Sequence, residues 1–155
     1  MITCKKIDFL RGCAIMKYME FVSHSVEDTY QFAAMVAEQL QGNEILLLEG
    51  DLGAGKTTFT KGLAKALGIQ STVTSPTFTL MKSYKDGRLP LYHFDLYRVE
   101  NVDEVEELGL SDYFDAGGVC VIEWNCIPSF PGKVHKIKIS EINGVRYFDW
   151  RQTEQ

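Results

Sequence analysis

Residues 45–57 read Ile45-Leu46-Leu47-Leu48-Glu49-Gly50-Asp51-Leu52-Gly53-Ala54-Gly55-Lys56-Thr57, an apolar run that opens into a glycine-rich loop and a lysine. Unbroken apolarity over four positions fits a strand buried on both faces. Beyond the loop, Phe59, Leu63, Ala66 and Leu67 recur at helical spacing and Gly68 ends the run. Gly50, Gly55, Lys56 and Thr57 match the spacing G-x-x-x-x-G-K-[ST] between that strand and that helix. Glycines let the backbone bend so that successive amides point inward at phosphate oxygens, and the helix adds its positive end. The spacing assigns Lys56 to the β- and γ-phosphate oxygens and the Thr57 hydroxyl to Mg²⁺. The expected ligand is Mg·ATP or Mg·ADP, cradled by Asp51, Leu52, Gly53, Ala54, Gly55, Lys56, Thr57 and Thr58.

Such a loop needs a carboxylate to organise the metal, usually at the end of a neighbouring strand. Two candidates fit. Glu123 closes the apolar strand Val119-Cys120-Val121-Ile122, and Asp95 ends a strand in His93-Phe94-Asp95-Leu96-Tyr97-Arg98. The residues alone do not say which is the metal ligand and which is catalytic. Trp124, directly after Glu123, is placed near the site and is able to stack on the adenine. His93 reads as an oriented core histidine, and Arg98 as either a transition-state charge stabiliser or a surface ion pair.

Working outward, Ser25 is a helix cap, with Glu27 and Asp28 complementing the positive helix end. Tyr30, Ala33, Ala34, Ala37 and Leu40 mark the buried stripe of that helix, and Gly42 stops it. Residues 71–80 are rich in hydroxyls and read as loop leading into strand. Asp86-Gly87 signals a hairpin that ends near Asp95. Residues 100–115 carry seven carboxylates and no basic residue, with Val102, Val105 and Leu108 as an apolar stripe on a solvated helix. A terminal hairpin is expected from Val134 to Ile142 and Val145 to Trp150 around the turn Asn143-Gly144. Residues 1–18 lack clean periodicity and read as a disordered tail or upstream extension, leaving 19–155 as a single domain.

Composition bounds what such a domain does. At 155 residues, 45% hydrophobic and 24% charged, the chain is ordinary globular material able to bury one core. A net charge of −5 offers no polybasic field for DNA or RNA, so any tRNA contact is expected only indirectly, through a partner. None of Cys4, Cys13, Cys120 and Cys126 forms a C-x-x-C pair, which favours reduced thiols. No apolar stretch approaches the roughly 18 residues of a membrane span. These features point to a cytoplasmic protein.

Four stretches in register, Gly50 to Thr58, Thr74-Ser75-Pro76-Thr77-Phe78-Thr79, Leu91 to Arg98 and Ile122-Glu123-Trp124, resemble the TsaE ATPases of tRNA threonylcarbamoyladenosine modification, from about Glu20 to Trp150. The resemblance implies an α/β fold of the P-loop NTPase-like type, three layers α/β/α around a mixed sheet carrying antiparallel strands. It implies a slow, partner-stimulated ATPase that assists a TsaB–TsaD complex. By that analogy Thr57 and Glu123 hold Mg²⁺, Asp95 serves hydrolysis, and Trp124 lines the nucleotide site. The segment Ser25–Thr29, with Thr29 itself, would lie near the base, Arg146 would reach the nucleotide, and 74–79 would act as a switch. Asn125 departs from the proline that many members place after Glu-Trp.

Three other readings share the loop. A small GTPase would carry N-K-x-D, and no asparagine here precedes lysine; Asp115-Ala116-Gly117-Gly118 fits D-x-x-G but precedes its strand. A small-molecule kinase needs an arginine-bearing lid, and the five arginines include no neighbouring pair. A nucleotide-gated interaction module with incidental hydrolysis leaves the same loop and remains open.

Overall fold

The computed structural model describes the backbone of residues 4–11 and 14–154, with side chains from Tyr18 to Thr153. Its elements in chain order are β1 (Cys4–Arg11), β2 (Ala14–Ser23), α1 (Val26–Ala37), β3 (Ile45–Glu49), α2 (Lys56–Ala66), β4 (Met81–Tyr84), β5 (Leu91–Asp95), α3 (Asp103–Glu107), a 3₁₀ turn at Leu110–Tyr113, β6 (Val119–Glu123), β7 (Lys133–Ile142) and β8 (Val145–Glu154). The strands form one mixed sheet in the order β1-β2-β8-β7-β3-β6-β5-β4. Its centre is parallel, with β3 between β7 and β6, and β6 beside β5. The remaining pairings, β4 with β5, β7 with β8, β8 with β2 and β2 with β1, are antiparallel. This is a mixed α/β fold.

Period-two alternation in β3 sorts its apolar run into two cores. Leu46 and Leu48 join α1 and α2 in the larger core, while Ile45 and Leu47 face a smaller one closed by Val105, Leu110, Phe114 and Phe130. Phe32 of α1 knits the larger core together. Its ring stands 4.7 Å from Phe148, 5.1 Å from Phe21 and 5.7 Å from Phe59. α1 and α2 approach closely because Gly62 has no side chain: a Cβ there would meet Tyr30 Cδ1 at 2.8 Å and Ala33 Cβ at 3.0 Å.

The cap on α1 is as expected, Ser25 Oγ accepting from the Asp28 amide at 3.1 Å. The buried stripe is not. Phe32 and Val36, rather than Tyr30 and Ala34, point inward with Ala33 and Ala37, because the bulkiest apolar pair takes the sheet-facing side. On α2, Ala64 is buried and Ala66 exposed. The acidic stretch 100–115 is no single helix. It breaks at Gly109 into a five-residue α3 and a 3₁₀ turn, and only Val105 of the expected stripe is buried, with Val102 and Leu108 exposed.

The tail expected over residues 1–18 falls partly on 1–3, 12 and 13, outside the described residues. Over Cys4–Arg11 and from Ala14 the backbone runs as strand, extending the sheet beyond β8. An edge strand presents unpaired amides and carbonyls, and a further strand satisfies them even where sequence periodicity is weak. Cys120 is buried, which pushes its thiol up to about 12 and leaves it inert, whereas Cys126 is exposed. No described helix is long and apolar enough to cross a membrane.

Candidate functional site

Three neighbouring parallel strands, β3, β6 and β5, end at the same edge of the sheet. Immediately after β3 the chain turns through the loop Gly50–Gly55 into α2. Gly55 holds a left-handed φ of 115° at the helix cap, which a side chain would strain. A Cβ on it would also lie 2.7 Å from Arg146 Nε. No side chain caps α2, so its first-turn amides open toward the loop. Lys56 Nζ donates to Gly50 O at 2.8 Å and sits 4.2 Å from the centroid of the Trp124 ring. The lysine is 6% exposed, a cation held at the base of the loop.

Parallel register sets Asp95 of β5 directly beside Glu123 of β6, and Glu123 beside Leu48 of β3. Both carboxylates are buried. Glu123 Oε2 lies 2.6 Å from His93 Nε2. Asp95 accepts from the Tyr97 amide through Oδ1 at 3.0 Å and from the Thr77 hydroxyl through Oδ2 at 3.2 Å. Thr77 in turn pairs with Ser75 at 2.7 Å. The hydroxyl-rich segment thus reaches the site, closed as a turn by the Thr79 amide on Pro76 O, with Lys82 Nζ bonded to Thr74 Oγ1.

These groups wall an open cleft of about 240 Å³. Leu52, Gly53, Gly55, Lys56, Thr57 and Thr58 line it from the loop, faced by Asp95, Glu123, Trp124 and Arg146 together with Ser75 and Thr77. Asp51 and Ala54 belong instead to the outer side of the loop, against Lys138 to Glu141 of β7. Arg146 reaches in from β8 and donates from Nε to Ala54 O at 2.9 Å. Thr29 is not among the residues that line this cleft. It is 1% exposed, its hydroxyl paired with Ser23 Oγ at 2.7 Å, because helical phase turns it toward β2.

Trp124 lines the cleft, as expected. It stands in a left-handed conformation, φ 57°, with its ring against the Lys56 ammonium and 5.1 Å from the Tyr97 ring. That position is at the lysine end of the loop. Arg98 lies over the Phe78 ring at 4.9 Å, outside the cleft lining. Ser75 and Thr77 are the cleft residues that motif spacing did not assign as ligands, and the density of hydroxyls in 71–80 was the available signal.

Among the described residues no cluster of three or more His, Cys, Asp or Glu could hold a metal alone. The donors that do converge, a threonine hydroxyl and two carboxylates, are hard oxygens. Mg²⁺ is commonly held by one or two carboxylates, with substrate phosphates and water completing its shell. The residues fit that ion.

The family model for the threonylcarbamoyl adenosine biosynthesis protein TsaE matches residues 23–147, a span that holds every cleft residue. The TsaE of Bacillus subtilis, named a tRNA threonylcarbamoyladenosine biosynthesis protein, is 53% identical over 109 residues, covering 70% of this chain and 68% of its own. That of Treponema pallidum is 46% identical over 106 residues, covering 68% and 78%. Among solved structures, Bacillus subtilis YdiB aligns with a TM-score of 0.74 at 39% identity, over 88% of this chain and 86% of that one. On sequence and on structure alike, the chain belongs to the TsaE family, whose members take part in tRNA threonylcarbamoyladenosine biosynthesis.

Proposed function

We propose that the chain binds and slowly hydrolyses Mg·ATP in a P-loop NTPase-like fold, and thereby assists a TsaB–TsaD complex in threonylcarbamoylating the tRNA adenosine beside the anticodon. One observation carries the reading. The glycine loop with its lysine, and the carboxylates Asp95 and Glu123, meet at the carboxyl ends of three adjacent parallel strands. Ligands of open α/β sheets bind outside such strand ends.

In this reading the loop amides and the first turn of α2 accept the phosphates, and Lys56 moves from Gly50 O onto their β/γ oxygens. Thr57 and Glu123 would hold Mg²⁺, which neutralises charge on the phosphates when bound. Asp95 is fixed by two donors, so its carboxylate has a set orientation from which to position a water. The Trp124 ring shields the lysine from solvent and strengthens its field. Arg146 spends its Nε on Ala54 O and keeps its remaining guanidinium donors for a phosphate. The net charge of −5 supports contact with tRNA through the partner rather than directly, and the setting is cytoplasmic.

A second reading, a nucleotide-gated interaction module, has its own observation. Leu52 at the loop tip is 91% exposed and Phe78 in the 74–79 turn is 83% exposed, apolar groups beside the cleft that a partner would cover. Steady-state ATP hydrolysis with and without TsaB–TsaD separates the two. Turnover that rises with the complex supports the ATPase reading. Pull-down of the complex that tracks ATP against ADP, with no stimulated turnover, supports the gate. No Mg·ATP binding by calorimetry removes both.

A further inference from the structure

We infer that His93 is a positioning residue, fixing the Glu123 carboxylate for the divalent cation; the inference rests on the Mg·ATP reading above. His93 and Asp95 lie two apart on β5 and share one face of the sheet, as do Val121 and Glu123 on β6. Register places His93 beside Val121, one step behind Glu123, so the imidazole reaches Glu123 diagonally from the protein interior. It is 0% exposed, and Nε2 donates to Glu123 Oε2 at 2.6 Å. That contact commits one carboxylate oxygen to the protein, while the residue as a whole lines the cleft. Oε1 has no protein hydrogen-bond partner among the described residues and is left for the cleft side.

The other ring nitrogen marks this as more than core packing. Nδ1 is buried without a partner. A purely structural position among Leu91, Val119 and Val121 would be filled at lower cost by an apolar side chain. A histidine kept there with half its polar capacity unmet is explained by what Nε2 does for Glu123. Groups that orient metal-binding carboxylates act in this way, and their loss typically weakens metal binding about 10–100-fold.

The test is Mn²⁺ binding to the ADP-loaded protein, followed by electron paramagnetic resonance, beside the melting temperature of each variant. His93→Leu should weaken Mn²⁺ binding about 10–100-fold. His93→Gln, whose amide N–H reaches Oε2, should recover most of the loss. If His93→Leu does not fold, His93→Asn, too short to reach, takes its place. Mn²⁺ held as tightly by the Leu variant as by wild type overturns the inference, as does a Gln variant that loses as much as Leu. A wild-type protein that binds ADP but no Mn²⁺ overturns the nucleotide-site reading, and this inference with it.

Discussion

The parallel centre of the sheet and its antiparallel flank use polar residues in opposite ways. In β3, β5 and β6 both faces are covered, so almost every position is apolar or buried, and the carboxylates stand at the strand ends. Burying an unpaired charge is costly, so Asp95, Glu123 and the internal His93 are exceptions that the fold tolerates for a reason. In β7 and β8 one face is wet. There Lys136, Lys138 and Arg151 alternate with buried Ile137, Ile139 and Trp150, as an antiparallel strand with one solvated face requires. Polarity at the strand ends of the centre gathers at the cleft, while polarity on the wet face of the flank follows phase. Buried His135 and Gln152 lie on the flank's inner face, where Trp150 Nε1 donates to His135 Nδ1 at 3.0 Å. Arg146 shows the consequence, because nothing in its local pattern separates it from the solvated residues around it.

If that contrast holds, removing a polar residue at the centre should damage function far more than stability. Lys56→Ala should abolish turnover and weaken Mg·ATP binding about 10–100-fold, the loss of one charge-assisted bond of roughly 1.5–3 kcal/mol, read by calorimetry and a steady-state assay. Unchanged affinity would break the assignment of the loop. Asp95→Ala should lower hydrolysis about 10²–10⁴-fold while sparing binding, whereas Glu123→Ala should weaken the Mg²⁺ dependence of binding. The reverse pattern would exchange their roles.

Stability sharpens the same comparison. Leu46→Ala in β3, fully buried, should cost about 2–5 kcal/mol in denaturant unfolding. Lys138→Ala, on the wet face of the neighbouring strand β7, should change stability by less than about 0.5 kcal/mol. Comparable losses would mean that the flank face is covered.

The smallest effect is expected at Asp86, a polar residue with a structural task. It accepts from the amides of Gln70 and Ser71, and the Gln70 bond above all holds its carboxyl below the usual carboxylate value. A lowered value means its contribution is complete above the ordinary carboxylate range and is lost as pH falls through the lowered value. Asp86→Asn should therefore melt slightly below wild type at neutral pH, with the gap closing in acid. A gap independent of pH would remove the charge from the explanation.

Much of the site was legible because its parts are local. Strand, loop, lysine and helix follow one another within about twenty residues, and their chemistry depends on spacing alone. Asp95 and Glu123 could be picked out because each closes an apolar run. The phase of α1 is not legible locally, because small alanines match the helical period as well as Phe32 and Val36 do, and only packing against Phe148 and Phe21 decides between them. The acidic stretch reads as one solvated helix because its carboxylates satisfy that pattern, while Gly109, with φ 69°, breaks it in two.

By itself, then, the sequence determined that this chain carries a glycine-rich loop with G-x-x-x-x-G-K-[ST] spacing between a buried strand and a helix, with two carboxylates at strand ends. It did so because glycine geometry and apolar periodicity act over a few residues. Only the tertiary structure decided that Asp95 and Glu123 stand side by side, that the Thr29 hydroxyl pairs with Ser23, and that Arg146 crosses from the last hairpin to the loop. Those contacts join residues far apart in the chain. Strand order and register set them, and both are settled by how the whole sheet closes its two cores.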